Sequence, residues 1–177
     1  MKKQILRFAL ALASLVPLVV ERGNAQADAP RLTMQELQLL THQWEQGQLT
    51  YTNEASTRPV AIRSGLNGMS PGPNAFVLDY IYQQPEGGMV KEFDKLWLAR
   101  DGRSVRWDNA QLQLRSKTRL PDGRLRAVFE GSGREMGQPC ELRRVLTLGS
   151  QKLEISKEVR RANTTTFVAL ARYEFTR

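Results

Sequence analysis

The sequence has almost no cysteine or histidine: Cys140 and His42 are the only residues of their kinds. A single cysteine cannot form an intramolecular disulfide, so the fold must depend on its apolar core and backbone hydrogen bonds. A single histidine excludes a histidine-rich metal site and makes any serine–histidine–aspartate triad depend on His42 alone. We therefore expect Cys140 to be buried and inert, His42 to be structural, and the protein to bind no metal.

The sequence also lacks the motifs of redox, nucleotide and dinucleotide sites. It contains no Cys-x-x-Cys pair, no Walker loop and no dinucleotide-binding fingerprint. The glycines of GSGREMG (residues 131–137) follow a predicted strand and open no helix, which indicates a loop. No acid–base pair can be identified. We expect a protein that is not an enzyme and has no cofactor, with a small-barrel cyclase or isomerase as an alternative.

Acidic residues are in the minority, with 18 Asp and Glu against 26 Lys and Arg and a net charge of +8. The basic residues are scattered and form no cluster interleaved with aromatic residues, so nucleic-acid binding is not expected. The excess charge favours a mild attraction to anionic envelope components. A solvated surface that is simply rich in arginine is the alternative.

Residues 1–27 have the pattern of a secretory signal peptide. A basic start is followed by an apolar run over residues 8–20 and by Ala25-Gln26-Ala27, which has small residues at both positions that a signal peptidase reads. We expect cleavage after Ala27, a periplasmic or secreted protein, and one mature domain over residues 28–177. An uncleaved anchor is the alternative, but a spanning helix needs about 20 apolar residues.

The mature sequence predicts one helix followed by strands. Thr33 and Glu36 form a capping box, apolar residues then recur at helical spacing as far as Trp44, and Gly47 ends the predicted helix. Beyond it, apolar and polar residues alternate, as in FVLDYIY (residues 76–82), which predicts strands with one buried face. The predicted strands are 48–53, 58–63, 75–83, 89–98, 104–108, 111–118, 124–130, 140–148, 152–160 and 165–175.

Short turns connect these strands. Asp101-Gly102 and Asp122-Gly123 each separate two alternating runs, a strong hairpin signal, and both glycines are expected at positive φ. The prediction is an all-β, antiparallel up-and-down meander of about 8–10 strands, closed into a barrel after one short N-terminal helix. A sandwich and an outer-membrane barrel are alternatives. The leading helix and the mixed charges of the polar faces disfavour a membrane-spanning protein.

The stretch HQWEQGQLTYTN, with Trp44 at the entrance to the first strand, the leading helix and the hairpin meander together resemble the lipocalin-like (calycin) superfamily. The ending RYEFTR is similar to that of uncharacterised secreted bacterial proteins of this layout. The resemblance implies export and a barrel able to hold a small molecule, and it implies no known activity. Arg172 and Tyr173 are adjacent here, so the carboxylate clamp of fatty-acid-binding proteins is not expected.

Two cations stand among apolar residues on predicted neighbouring strands. Arg144 shares a strand face with leucines, and Lys157 shares one with Ile155 and Val159. The hairpin around Gly149 predicts that they lie close together inside the barrel. Because a buried cation needs a partner, Glu92 and Asp94 are candidates for a structural ion pair.

The alternative to a structural ion pair is a cavity that recognises an anion. In that interpretation Arg144 and Lys157 meet the charged group, while four aromatic residues that are expected to point inward contact an apolar body: Tyr80, Tyr82, Trp97 and Trp107. The sequence thus predicts an exported protein that binds a small amphipathic, partly apolar and anionic molecule. The alternatives are a non-catalytic envelope scaffold with a filled core and the small-barrel enzyme.

Overall fold

The computed structural model describes residues 29–52, 58–84 and 86–177, and the predicted signal peptide lies outside these residues. One turn of α-helix, α1 (Met34–Leu37), continues as a 3₁₀ turn over Gln38–Thr41. Ten strands follow: β1 Gln43–Thr52, β2 Pro59–Gly72, β3 Ala75–Gln83, β4 Met89–Leu98, β5 Ser104–Trp107, β6 Ala110–Arg119, β7 Leu125–Glu135, β8 Gln138–Leu148, β9 Lys152–Arg161 and β10 Val168–Thr176. Among the described residues, no helix has the length and apolar character to cross a bilayer.

The strands form a closed barrel. Each pairs antiparallel with the next in the chain, and β1 pairs with β10, for example through Leu49 and Tyr173. The predicted all-β meander with a short N-terminal helix is confirmed, and the sandwich alternative is wrong. Closure leaves no free sheet edge on the barrel, which removes a site of edge-to-edge aggregation.

The turns follow the local sequence. Gly102 and Gly123 have φ of 68° and 82°, as the Asp-Gly hairpin signals require. Between β5 and β6, Asp108 adopts a φ of 52°, a conformation that aspartate tolerates better than most residues. Since successive strands run in opposite directions, the last residues of β1, β3, β5, β7 and β9 lie at one end of the barrel, called the mouth below.

The N-terminal segment covers the opposite end, called the cap end. The predicted capping box is present: Glu36 N donates to Thr33 Oγ1 at 3.2 Å, and Thr33 N donates to Glu36 Oε2 at 2.9 Å. Lys117 Nζ of β6 donates to Glu36 Oε1 at 2.9 Å. Leu40 packs so closely on β2 that a Cβ at Gly68 would overlap the Leu40 carbonyl oxygen. The cap is therefore held to the barrel by an ion pair and by backbone contact.

Several boundaries differ from the prediction, and β2 continues to Gly72, nine residues beyond the predicted end at residue 63. Helical structure ends at Thr41, whereas Trp44 and Gly47 lie within β1, on either side of an irregularity in its pairing with β2. Trp44 is buried in β1 and would also be buried on the apolar face of a helix, so the spacing of apolar residues up to Trp44 does not distinguish a helix from a strand. GSGRE is the end of β7 and not a loop: Gly133 pairs with Cys140, and a Cβ at Gly133 would overlap the Leu142 side chain.

Large side chains fill the barrel interior from the cap end to the middle. The inward row of β3 (Phe76, Leu78, Tyr80 and Tyr82) is buried, as its alternation predicts. The largest fully buried residues are Trp44, Trp107, Tyr80, Phe76, Phe129 and Phe175. This part of the barrel is a packed core, because these side chains occupy the space that a ligand would need.

Candidate functional site

A buried carboxylate organises the polar centre of the barrel. Asp94 of β4 is 5% exposed, and its Oδ2 accepts hydrogen bonds from Tyr80 Oη at 3.0 Å and from Trp107 Nε1 at 3.1 Å. Its Oδ1 accepts a hydrogen bond from Lys157 Nζ at 2.7 Å. Both oxygens are satisfied, which offsets the large cost of removing a carboxylate from water. These four residues are called the Asp94 cluster below.

The tyrosines around this cluster act as donors and as packing surfaces. Burial, reinforced by the negative charge of Asp94, raises the pKa of Tyr80 well above its usual value, so its hydroxyl stays protonated and donates. Tyr173 stacks on Tyr80 with a centroid distance of 4.4 Å, and burial raises its pKa as well. Lys157 Nζ lies 5.5 Å and 5.6 Å from the centroids of these rings, which adds cation–π attraction to its ion pair.

Arg144 lies directly opposite Lys157 in the β8–β9 pairing, so the predicted proximity of the two cations is confirmed. Their bonding differs. Arg144 Nη1 donates to the carbonyl oxygens of Arg143 at 3.2 Å and Glu158 at 3.5 Å, whereas its buried Nε has no hydrogen-bond partner within the described part of the chain. Among the described residues, no carboxylate lies within ion-pair distance of Arg144.

Burial lowers the pKa of Arg144, while the charges of Asp94 and Glu135 act in the opposite direction. A guanidinium stays protonated through shifts of this kind because its usual pKa lies above 12. Arg144 is therefore a partly buried cation with a free donor.

A cleft of about 700 Å³ opens at the mouth beside Arg144. Trp107, Pro139 and Leu142 provide apolar walls, and the β5–β6 turn contributes Asp108. Asp108 Oδ1 accepts a hydrogen bond from Lys95 N at 2.8 Å, which holds this exposed carboxylate at the rim. The role of Asp108 was not predicted, although the Asp-Asn pair between two alternating runs is a turn signal.

The six predicted site residues do not lie at one site. Trp107 and Arg144 line the mouth cleft, Trp107 also belongs with Tyr80 and Lys157 to the Asp94 cluster, and Tyr82 and Trp97 belong to neither. Tyr82 is buried, and burial, reinforced by the neighbouring Glu92, raises its pKa.

Trp97 is the exception to the predicted inward orientation. Leu96 and Leu98 are buried, so strand alternation places Trp97 on the outer face, where the Arg106 guanidinium lies 4.1 Å from the ring centroid. The expectation that Trp97 points inward is wrong.

A second cleft, of about 600 Å³, lies along β1, β2 and β3 and is lined by Gly65, Ile81 and Met89 among others. It contains none of the predicted site residues. The mouth cleft is the candidate site because it combines apolar walls with a cation that has a free donor.

Comparison with known proteins supports the fold and assigns no family. No family model matches the sequence. No curated protein matches it. The crystal structure of Rv2717c from M. tuberculosis is similar, with a TM-score of 0.55 and 12% sequence identity, over 81% of this chain and 95% of that chain. Identity this low shows a shared barrel fold and carries no activity across.

Proposed function

We propose that the protein binds a small, partly apolar monoanion in the mouth cleft, with Arg144 contacting the charged group. The observation that carries this proposal is the buried Nε–H of Arg144, which has no partner and belongs to a residue that lines a cleft. An unsatisfied buried donor costs about 1–3 kcal/mol, and a small movement of the guanidinium that brings Nε–H to a carboxylate or sulfonate oxygen in the cleft would remove that cost. Trp107 and Leu142 would contact the apolar body.

Lys157 has a different role in this proposal. Its ammonium group is neutralised by Asp94 at 2.7 Å, and 19% of its side chain is exposed. The structural ion pair is therefore the better interpretation of Lys157, and anion recognition is assigned to Arg144 alone. Asp94 also accepts a hydrogen bond from the indole of Trp107, so the ion pair positions one wall of the cleft.

The charges of the cleft favour a single negative charge on the ligand. Asp108 stands at the rim, where it would repel a second anionic group. The packed centre supports a binding position at the mouth and not the deep cavity that the lipocalin resemblance implies. The packed centre also favours the alternative of a scaffold without a ligand, which the following experiment distinguishes.

The test compares two fluorescent probes that differ in one group: 8-anilinonaphthalene-1-sulfonate, which is anionic, and N-phenyl-1-naphthylamine, which lacks the sulfonate. We expect Arg144→Met to weaken sulfonate binding roughly tenfold or more, since a hydrogen bond to a charged group is worth about 1.5–3 kcal/mol. Binding of the neutral probe should change little because methionine preserves most of the apolar bulk.

The matched control is Arg115→Met, which removes one positive charge from an exposed position on β6. This variant should bind both probes as the wild type does. Equal sulfonate affinity in the wild type and Arg144→Met, or no binding of either probe, would contradict the proposal and favour the scaffold.

A further inference from the structure

The outer face of β4 carries a row of alternating apolar and basic side chains. Its outward residues, called the β4 strip below, are Met89, Lys91, Phe93, Lys95 and Trp97. The intervening acidic residues, Glu92 and Asp94, pair with inward positions of β3 and belong to the interior side. In the linear sequence these acidic residues alternate with the basic and apolar residues of the strip. For this reason the sequence predicted no cluster of basic and aromatic residues.

Neighbouring strands extend the strip. Arg106 of β5 pairs with Trp97, Val77 of β3 pairs with Lys95, and Met69 of β2 pairs with Val77. Met89, Phe93 and Met69 are 65%, 61% and 47% exposed. Side chains of this size are costly to leave in water when they share one face, so they indicate an interaction surface.

The cations of this face are available to a partner. Among the described residues, no carboxylate lies within ion-pair distance of Lys91, Lys95 or Arg106. Asp79 of β3 pairs with Phe93 on this face, and the exposed Asp108 accepts a hydrogen bond from Lys95 N, so two carboxylates stand against three cations. The face therefore has an excess of positive charge beside exposed apolar groups.

We propose that the β4 strip docks on an anionic lipid surface. Lysine and arginine near a membrane are attracted to anionic headgroups, while phenylalanine, tryptophan and methionine enter the boundary between headgroups and acyl chains. At about 3.3 Å per residue, the nine residues from Met89 to Trp97 extend over roughly 27 Å, enough to contact several lipids. The surface is on the outside of the barrel and borders the mouth cleft at Asp108, whose Oδ1 accepts a hydrogen bond from Lys95 N.

The ring contacts favour lipid over a single-stranded nucleic acid. Binding of bases depends on free aromatic faces on which they stack. Here Arg106 covers Trp97 at 4.1 Å, and Lys95 Nζ lies 5.1 Å from the Phe93 centroid. Exposed Met69 and Met89 add apolar groups without a planar face. This combination suits the disordered interface of a bilayer better than stacked bases.

The test is co-sedimentation of the full chain, as purified from cells, with two kinds of vesicle: phosphatidylcholine alone, and phosphatidylcholine with phosphatidylglycerol. All variants must have the same N-terminus, confirmed by mass. We expect tighter binding to the anionic vesicles. We expect Lys91→Gln with Lys95→Gln to weaken it roughly 25-fold, since each basic residue near the surface contributes about fivefold. Phe93→Ser should weaken binding further.

The matched control combines Arg160→Gln and Arg172→Gln, which remove the same charge from β9 and β10 on the other side of the barrel. Circular dichroism should show all variants folded, because the substituted positions lie on the outer face. A control that loses as much binding as the β4 variant would overturn the proposal. Equal binding to both kinds of vesicle would also overturn it. Tighter binding of the β4 strip to a single-stranded oligonucleotide than to the anionic vesicles, at equal total negative charge, would favour a nucleic acid instead.

Discussion

At the scale of single residues, the centre of the barrel depends on the balance between Asp94, Lys157 and Arg144. Asp94 satisfies Lys157, Tyr80 and Trp107 together, whereas Arg144 has hydrogen bonds to two carbonyl oxygens and a free Nε. One cation is thus structural and the other is available. The two cations occupy equivalent positions on paired strands, so the difference between them comes from their hydrogen-bond partners.

This balance predicts strong coupling between Asp94 and Lys157. Asp94→Asn should destabilise the fold by about 3 kcal/mol because it leaves a largely buried ammonium without its partner. Lys157→Met alone should also destabilise, since it leaves the carboxylate unpaired. The double variant should be less destabilised than the sum of the two by about 1 kcal/mol or more. Urea unfolding of the four proteins measures this coupling, and strictly additive effects would show that the ion pair is not a stabilising unit.

At the scale of elements, alternation and turn signals predicted the existence of all ten strands. The strand faces on which Arg144 and Lys157 lie, counted outward from the turn at Gly149, predicted that the two side chains are close together. Boundaries were harder where glycine interrupts the pattern. The second half of β2 contains Gly65, Gly68 and Gly72, which are poor strand formers, and the close approach of Leu40 requires a small residue at Gly68. The availability of Arg144 depends on neighbours from distant segments, which alternation does not specify.

Gly68 provides a test of how the cap closes the barrel. Gly68→Ala should destabilise the protein by about 2 kcal/mol, because its Cβ would overlap the Leu40 carbonyl oxygen and would force the cap away from β2. Gly72→Ala is the matched control, since no atom lies within 4 Å of its added Cβ and it should change stability by less than about 0.5 kcal/mol. Thermal unfolding compares the two, and equal melting temperatures would contradict the proposed cap contact.

At the scale of the whole molecule, barrel closure places three features in different regions. The cap covers one end, the mouth cleft opens at the other, and the β4 strip lies on the outer wall. A ligand could therefore enter the cleft while the strip contacts a membrane. We propose that the protein works outside the cytoplasm, on the basis of the signal-peptide pattern of residues 1–27.

Export predicts a defined processing product. Mass spectrometry of the protein recovered from the periplasm or the medium should find an N-terminus at Asp28, because Ala25 and Ala27 occupy the positions that a signal peptidase reads. A substitution of Ala27 by a bulky residue should cause the precursor to accumulate. A wild-type chain that still begins at Met1 in the membrane fraction would contradict export with cleavage.

The central claim is that Arg144 Nε is the free donor that meets an anion, and NMR can observe this group directly. In a proton–nitrogen correlation spectrum, the Arg144 Nε–H signal is identified by its absence in Arg144→Met. We expect this signal to shift on titration with 8-anilinonaphthalene-1-sulfonate and to stay nearly unchanged with N-phenyl-1-naphthylamine. If 8-anilinonaphthalene-1-sulfonate binds and the Arg144 Nε–H signal does not shift, the anion is recognised elsewhere, which would contradict the account.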